Sequence, residues 1–341
     1  KHYSWSKGAD ILGIGQENIV YIQVKDDFRM DIDSLRHEID RLVADKTPIF
    51  SVVSVVGTTE EGAIDEVHKV IALREEYEKQ GVSFYIHVDA AYGGYGRSIF
   101  IDENGAFIPY DDIHKVLHDN KIILEDIDWP ERDIYDAFRA MSEADSITID
   151  PHKMGYIPYA AGAIVMKDRR ILDLIAYYAS YVFEKDDESA IQLGSYIMEG
   201  SKAGAVVAAV WMAHKVVPLN ISGYGRIIGC SIEGAQKFYN SMSNTIPLEI
   251  NGRKFVVRAL YQPDFNLIDF AFNEEGNSDL TVMNDLNRMI YEKCSYKSGP
   301  VYINDFITSK TVLKSEEYKD APKDYVISQG IDAAEWDRVG E

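Results

Sequence analysis

Apolar segments of two different periods alternate through the first half of the chain. Residues 49–56 form a β-branched run of strand length that ends at Gly57. Residues 64–80 then carry apolar side chains at helical spacing, with acidic residues at the start. Residues 82–89 predict the next strand, which finishes on Asp89. Because strand and helix signals alternate, we predict an α/β fold in which helices cover a mostly parallel sheet.

Two further strands are predicted at 145–149 and 162–166, and their short connection suits an antiparallel pair at the sheet edge. Lys153 lies in this connection. Upstream of it, residues 100–135 are acidic and irregular, and we interpret them as a surface insertion. A helical pattern resumes over 131–143.

The second half of the chain predicts a separate, smaller unit. The apolar, small-residue-rich stretch 203–211 predicts a buried helix, 226–243 predicts another helix, and 253–272 predicts strands. A proline and a glycine between the first two mark a boundary. We therefore predict a large domain over 1–217 and part of a small α+β domain over 218–341.

Composition narrows the class of protein. The 341 residues are 46% hydrophobic and 27% charged, and the net charge of -21 disfavours nucleic acid or an anionic membrane as a partner. Two cysteines, Cys230 and Cys294, are too few for a disulfide framework or a Cys-based zinc site, and we expect no metal. Without a long apolar run or a signal peptide at the start, we expect a cytoplasmic location.

Two short motifs beside predicted strands carry reactive side chains. One is Asp150–Met154 (Asp-Pro-His-Lys-Met), which follows the strand at 145–149. The other is His87–Gly94 (His-Val-Asp-Ala-Ala-Tyr-Gly-Gly), which places Asp89 at a strand end. Ligands of open α/β sheets lie beyond the carboxyl ends of the strands. Either fragment alone is more often a turn or a helix start, but together they place an amine and a carboxylate where a cofactor would lie.

A lysine and an aspartate so placed are what pyridoxal phosphate (PLP) requires of a protein. The amine of Lys153 can form a Schiff base with the PLP aldehyde, and the Asp89 carboxylate can pair with the protonated pyridine nitrogen. The ring then accepts the electron pair released when a bond at the substrate Cα breaks. The alternatives are a surface lysine at a helix start and an aspartate that caps a turn.

The sequence resembles the group II PLP-dependent amino-acid decarboxylases, which carry an Asn- or Asp-Pro-His-Lys motif and a His-Val-Asp-Ala-Ala-Tyr segment. The resemblance covers nearly the whole chain and is closest to the bacterial tyrosine decarboxylases, in Lys1–Trp5, Gly57–Gly62 and Tyr181–Lys185. It implies the type I PLP-enzyme fold (aspartate aminotransferase-like). The Ser/Gly-rich phosphate loop expected before His2 and the end of the small domain expected after Glu341 are missing from that pattern, so we expect an incomplete chain.

The resemblance also assigns cofactor contacts. Besides Lys153 and Asp89, it implies that Ala91 lets the ring lie flat and that His2 stacks on the opposite ring face. Thr59 matches a threonine that contacts the ring hydroxyl, although capping of the following helix is nearly as good an interpretation.

Ser146 and His152 match phosphate contacts in the family. Many relatives carry asparagine where this chain has Asp150. A carboxylate near a phosphate is repulsive unless bridged, so Asp150 is not assigned to the cofactor.

Five further residues are assigned to substrate or partner. Tyr181 matches a tyrosine on a family loop and would protonate the substrate Cα after carbon dioxide leaves, unless it only packs on a helix face. Tyr92 and Tyr159 adjoin the motifs and would shape the substrate pocket or pack in the core. Gly200 and Ser201 resemble a segment that reaches the phosphate of a partner subunit, which implies a homodimer with shared active sites.

The implied reaction is PLP-dependent decarboxylation of an aromatic L-amino acid, with L-tyrosine to tyramine and carbon dioxide first and glutamate or aspartate behind it. Another type I PLP lyase, such as a cysteine desulfurase, is a rival, but those enzymes usually carry glutamine where this chain has Ala91–Gly94. A catalytically silent PLP-binding or dimerisation module is a rival of a different class.

Overall fold

The computed structural model describes residues 2–124, 127–177, 193–199, 201–243, 247–295 and 305–336. Among them, the α-helices are α1 (Ser4–Ile11), α2 (Ile32–Ala44), α3 (Val67–Glu78), α4 (Tyr110–Asp119), α5 (Arg132–Ala140), α6 (Ile171–Ile175), α7 (Ala205–Val216), α8 (Tyr224–Ser243), α9 (Leu280–Cys294), α10 (Ser315–Tyr318), α11 (Lys323–Ser328) and α12 (Ala333–Trp336). The strands are β1 (Ser51–Val55), β2 (Tyr85–Asp89), β3 (Ser146–Ile149), β4 (Ala163–Met166), β5 (Leu248–Ile250), β6 (Arg253–Ala259) and β7 (Phe270–Glu274).

The first four strands form one sheet in the order β1-β2-β3-β4. β1, β2 and β3 run parallel, and β4 pairs antiparallel with β3 at the edge. This arrangement confirms the predicted α/β class and the predicted antiparallel pair. Asp89 lies opposite both Val55 and Thr148, so the carboxyl ends of three strands meet at one edge of the sheet.

The main core forms between this sheet and the helices over it. Ile86 and Val88 on β2 are completely buried, because β2 has a neighbouring strand on each side and covered faces. Val67 and Val70 on α3 are equally buried, at the helical spacing that the sequence predicts. The core thus holds the strand that ends on Asp89 rigidly in place.

The segment at 100–135 differs from its expectation. It contains α4, on which Ile113 and Leu117 are buried in the main core four residues apart. Trp129 is also buried and donates its indole N–H to the carbonyl of Asp264 at 2.8 Å. The prediction of an irregular surface insertion is therefore wrong for these residues, whose acidic neighbours mask a helical apolar stripe.

Helices α7 and α8 differ in burial. The predicted buried helix forms as α7, yet none of its twelve residues is buried against the described part of the chain. In α8, by contrast, Ile228 and Ile232 are completely buried. The prediction of burial for α7 is therefore wrong within the described residues.

The second sheet has the order β5-β6-β7 and is antiparallel throughout. A separate small core lies beside it, made by Leu280 and Met283 of α9 with the three apolar residues Val326, Ile331 and Trp336. Between β6 and β7 the chain returns to the first sheet, where Phe265 is completely buried in the main core. The boundary at 217/218 stays a prediction.

No helix among the described residues is long and apolar enough to cross a membrane.

Candidate active site

The two motifs meet directly after their strands. The amide of Ala90 donates to the carbonyl of Thr148, and the amide of Asp150 donates to the carbonyl of Ala91, both at 3.1 Å. These backbone bonds continue the parallel pairing past the last residues of β2 and β3. The sheet therefore brings the segment of Asp89 and the segment of Lys153 side by side, as the sequence predicts.

Lys153 lies in a cluster of polar side chains. Its Nζ is 3.1 Å from Oδ2 of Asp150, which is also 3.6 Å from Nε2 of His152. The side chain of Lys153 is 29% exposed, so the amine is held but remains accessible to a ligand. Asp150, which the sequence does not assign to the cofactor, thus contacts the candidate reactive lysine itself.

Asp89 is half-buried at the end of β2, with both carboxylate oxygens engaged. Oδ1 accepts a hydrogen bond from the amide of Ala91 at 3.3 Å, and Oδ2 accepts one from Nε1 of Trp5 at 2.9 Å. Sequence reasoning missed Trp5 as a site residue, although Trp5 lies in the segment that resembles the tyrosine decarboxylases. Its neighbour Ala91 is also half-buried.

A histidine on the same strand links Asp89 to β3. The ring nitrogens of His87 lie 2.7 Å from the hydroxyl of Ser146 and 3.0 Å from that of Thr148. Burial lowers the pKa of the His87 imidazole, and the negative charge of Asp89 only partly offsets this. Ser146 is 4% exposed, and its hydroxyl contacts His87, so its assignment to a phosphate stays a prediction.

His152 and Tyr159 face each other, with ring centroids 4.1 Å apart. Nδ1 of His152 donates to the carbonyl of Ala161 at 2.5 Å, which fixes the ring beside the lysine motif. Tyr159 is 79% exposed and stands at the accessible side of this cluster. Contact with a phosphate for His152, and with the substrate for Tyr159, stay predictions.

Tyr92 is connected to the C-terminal part of the chain. Its hydroxyl donates to Oδ1 of Asn266 at 2.9 Å, and Nδ2 of Asn266 donates to the hydroxyl of Ser231 on α8 at 3.1 Å. Burial raises the pKa of the Tyr92 hydroxyl. This contact joins the segment after Asp89 to α8, and no sequence pattern pointed to Asn266.

The loop after β1 presents one threonine to solvent and buries the other. Thr59 is exposed, whereas Thr58 donates to Oε2 of Glu61 at 2.9 Å and accepts from the amide of Ala63 at 3.0 Å. Thr58 therefore stabilises the loop, and Thr59 is accessible for the predicted contact with a cofactor hydroxyl.

Of the remaining predicted residues, His2 and Ser201 each begin a described segment. His2 is half-buried, and its Nδ1 is 2.7 Å from the hydroxyl of Ser4. Ser201 is exposed. Tyr181 and Gly200 lie outside the described residues, so their predicted roles rest on the sequence alone.

The residues present fit PLP. The cluster offers an accessible amine on Lys153 and an oriented carboxylate on Asp89, which are the two groups that the cofactor's aldehyde and ring nitrogen require. Gly57 and Gly93 bring the loop after β1 against the segment after β2, since a Cβ on Gly93 would lie 2.5 Å from the carbonyl oxygen of Val56. A side chain at Gly93 would therefore push these two segments apart.

The chain matches two models of known protein families. Residues 1–102 and 130–259 match the family model described as Pyridoxal-dependent decarboxylase conserved domain, and residues 234–341 match Tyrosine decarboxylase, C-terminal. The first model leaves out residues 103–129, which lie within the segment that the sequence predicts to be an insertion.

The chain is also similar to curated proteins and to solved structures. The chain is 49% identical to L-tyrosine decarboxylase of Enterococcus faecalis over 341 residues, which is 100% of the chain and 55% of the relative. For L-tyrosine decarboxylase of Levilactobacillus brevis the identity is 48%, over 100% of the chain and 54% of the relative. TDC of Oryza sativa, solved with PLP and tryptamine, is 15% identical with a TM-score of 0.66, covering 92% of this chain and 54% of that one, and this match shows the fold.

The chain thus spans about half the length of the curated relatives it matches. The family model nevertheless covers more than half of the chain, including both motifs. The chain belongs to the pyridoxal-dependent decarboxylases.

Proposed function

We propose that the protein decarboxylates L-tyrosine to tyramine and carbon dioxide with PLP as its cofactor. The observation that carries the proposal is the hydrogen-bonded alignment of the Asp89 and Lys153 segments at one edge of the sheet. Support for the substrate comes from the tyrosine decarboxylases that are 48–49% identical over the whole chain. A cytoplasmic location stays a prediction.

The candidate residues divide the work of holding the cofactor. Lys153 would bond to its aldehyde and Asp89 would hold the proton on its ring nitrogen, with contacts from Ala91, His2, Thr59, Ser146 and His152 as the resemblance implies. When bound, PLP supplies a ring that accepts the electron pair of the bond between the substrate Cα and its carboxylate.

Side chains around Lys153 would direct proton movement and substrate binding. Asp150 accepts the hydrogen bond from Nζ and so keeps the amine beside the Asp89 segment. Tyr92 and Tyr159 would line the substrate pocket with aromatic faces and hydroxyls, which suits a phenol-bearing substrate. Tyr181 would donate a proton to the substrate Cα once carbon dioxide has left.

A homodimer accounts for the exposed apolar helix. On α7, Val207, Trp211 and Met212 are each more than half exposed, and such a contiguous apolar surface normally marks an interface. Ser201 lies four residues before this helix, so a second copy packed on α7 would bring Ser201 close to the neighbouring molecule. We propose that α7 packs against a second copy of the chain.

Substitution of Trp211 by serine tests the dimer. We expect the parent to sediment as a dimer and Trp211→Ser to shift the equilibrium towards monomer by at least about tenfold, because aromatic anchors dominate interfaces. Phe50→Ser is the control, since Phe50 is an aromatic residue just before β1 that is 87% exposed and does not belong to α7. A monomeric parent would contradict the dimer.

Tyramine release tests the reaction. The parent, Lys153→Ala and the control Lys167→Ala would be incubated with PLP and tyrosine; Lys167 is a lysine at the end of β4, whose Nζ contacts the carbonyl of Glu143. We expect release from the parent and control and none from Lys153→Ala. Release from aspartate or glutamate instead would change the substrate, and retained release by Lys153→Ala would overturn the assignment of the lysine.

A further inference from the structure

Trp5 makes a direct contact with the candidate cofactor carboxylate from outside both motifs. It lies on α1, half-buried, and its indole N–H donates to Oδ2 of Asp89 at 2.9 Å. The indole ring packs edge-on against the ring of His87, with centroids 5.5 Å apart. The helix thereby places one uncharged donor on the last residue of β2.

The surface against which Trp5 packs is itself fixed. Both ring nitrogens of His87 contact hydroxyls of β3, those of Ser146 and Thr148. Because burial lowers the pKa of His87, its ring is neutral near pH 7 and adds no positive charge beside Asp89. The indole of Trp5 therefore has a defined position and an uncharged neighbour.

Within the described residues, Asp89 receives two hydrogen bonds, and both come from uncharged donors, the amide of Ala91 and the indole of Trp5. A lysine or arginine at the same place would form an ion pair with the carboxylate and would compete with a protonated ring nitrogen. An indole orients the carboxylate and leaves its full negative charge. Each oxygen also keeps a free lone pair for a further donor.

We propose that Trp5 is a positioning residue for PLP, whose indole N–H aims the Asp89 carboxylate at the pyridine nitrogen without neutralising it. The inference rests on the proposed function, because it needs PLP to bind beside Asp89. Phenylalanine at position 5 would keep an aromatic ring beside His87 and would lose the N–H group together with part of the indole ring. The lost ring area is the same with aspartate or asparagine at position 89, so comparing Trp5→Phe in the two backgrounds isolates the hydrogen bond.

A PLP titration followed by visible absorbance measures the effect. The proteins are the parent, Trp5→Phe, Asp89→Asn and the double variant, with Tyr3→Phe as a control because Tyr3 is 71% exposed on the adjoining turn. We expect Trp5→Phe to weaken PLP binding at least about threefold in the parent background and less than about twofold in Asp89→Asn. Tyr3→Phe should change binding by less than about twofold, as expected for an exposed hydroxyl.

Nuclear magnetic resonance gives a second readout that needs no cofactor. The chain has four tryptophans, and the indole N–H signal of Trp5 is identified by its loss in Trp5→Phe. We expect this signal to exchange slowly with solvent and to move when Asp89 is changed to asparagine. Thermal unfolding of each variant shows whether it is folded.

The outcomes separate the two proposals. PLP binding by Trp5→Phe as tight as by the parent, or a Trp5 signal that ignores Asp89→Asn, would overturn the role of Trp5 while leaving the decarboxylase intact. A parent that binds no PLP would overturn the proposed function and, with it, the role of Trp5.

Discussion

Helices α7 and α8 are neighbours in the sequence, yet they are buried to opposite extents. α8 has apolar residues on one face and packs Ile228 and Ile232 into the main core. α7 is apolar on nearly all sides and has no buried residue against the described chain. The difference indicates that apolar content alone does not bury a helix in its own chain, whereas an apolar face set against a polar one does so in α8.

The two helices also make different contacts with the segment that follows Asp89. α8 lies behind the segment that follows Asp89, since a Cβ on its Gly225 would lie 2.7 Å from the carbonyl oxygen of Ser98. α7 reaches the same region through a polar contact, in which Nε2 of His214 is 2.9 Å from the hydroxyl of Tyr95. Among the described residues, α8 therefore supports this region by backbone packing, whereas α7 contacts it through the side chain of His214.

The largest effect on stability is expected when a buried aliphatic side chain of α8 is shortened and compared with an exposed one of α7. Ile228→Ala should lower the free energy of unfolding by about 2–5 kcal/mol, because it leaves a cavity in a closed core. Val207→Ala, whose side chain is 62% exposed, should change it by less than about 0.5 kcal/mol in the monomer. Urea unfolding at low protein concentration measures both, and equal losses would contradict the difference in burial.

Two glycines of α8 differ in the space around them, so the same substitution should have opposite effects at the two positions. A Cβ on Gly229 would lie 2.1 Å from the side chain of Ile122, so Gly229→Ala should destabilise the protein by about 1–3 kcal/mol. Gly234 has nothing within 4 Å of its Cβ position, and Gly234→Ala should stabilise by about 0.5–1 kcal/mol through helix propensity. Thermal unfolding would give shifts of opposite sign; shifts of the same sign would mean that α8 does not pack tightly here.

The polar bridge from α8 to the active site should have a smaller effect. Asn266→Ala removes the acceptor for Tyr92 and the donor to Ser231, and should cost about 1 kcal/mol of stability. Combined with Tyr92→Phe, the loss should be smaller than the sum of the two single losses, because both remove one hydrogen bond. Gln262→Ala, in the same loop, is the control, and additive losses would show that the bridge does not form.

The smallest expected effect is the pH dependence of stability that His214 on α7 contributes. Burial lowers the pKa of His214, so the unfolded chain binds a proton that the folded chain does not as the pH falls below about 6.5. The contribution of neutral His214 to stability is therefore present above that pH and lost below it. The melting temperature of the parent should fall relative to His214→Gln between pH 7.5 and 5.5, with exposed His118→Gln as the control. An unchanged difference between parent and His214→Gln would contradict the burial of the His214 imidazole.

The strands and the two motif ends could be predicted because each depends on local sequence. β-branched runs predict β1 to β4, and parallel pairing then places Asp89 and the Lys153 segment at one sheet edge without any knowledge of distant contacts. The same logic failed for α4, where acidic residues surround the short apolar stripe of Ile113 and Leu117.

The supporting contacts could not be predicted because they join distant parts of the chain. Trp5 and Asp89 are 84 residues apart, and Tyr92 and Asn266 are 174 apart. No periodicity or spacing encodes such a pair, since only the packing of α1 and of the loop between β6 and β7 brings the partners together. The exposure of α7 could not be predicted either, because an apolar sequence does not show whether the rest of its own chain packs against it.

We propose that Lys153 is the residue that bonds to PLP. The most direct measurement is to add PLP to the parent protein, reduce the bond with borohydride, digest the chain and locate the modified lysine by mass spectrometry. We expect one dominant modified peptide, the one that contains Lys153, and its loss in Lys153→Ala. Modification spread over surface lysines, or centred on another lysine, would contradict it.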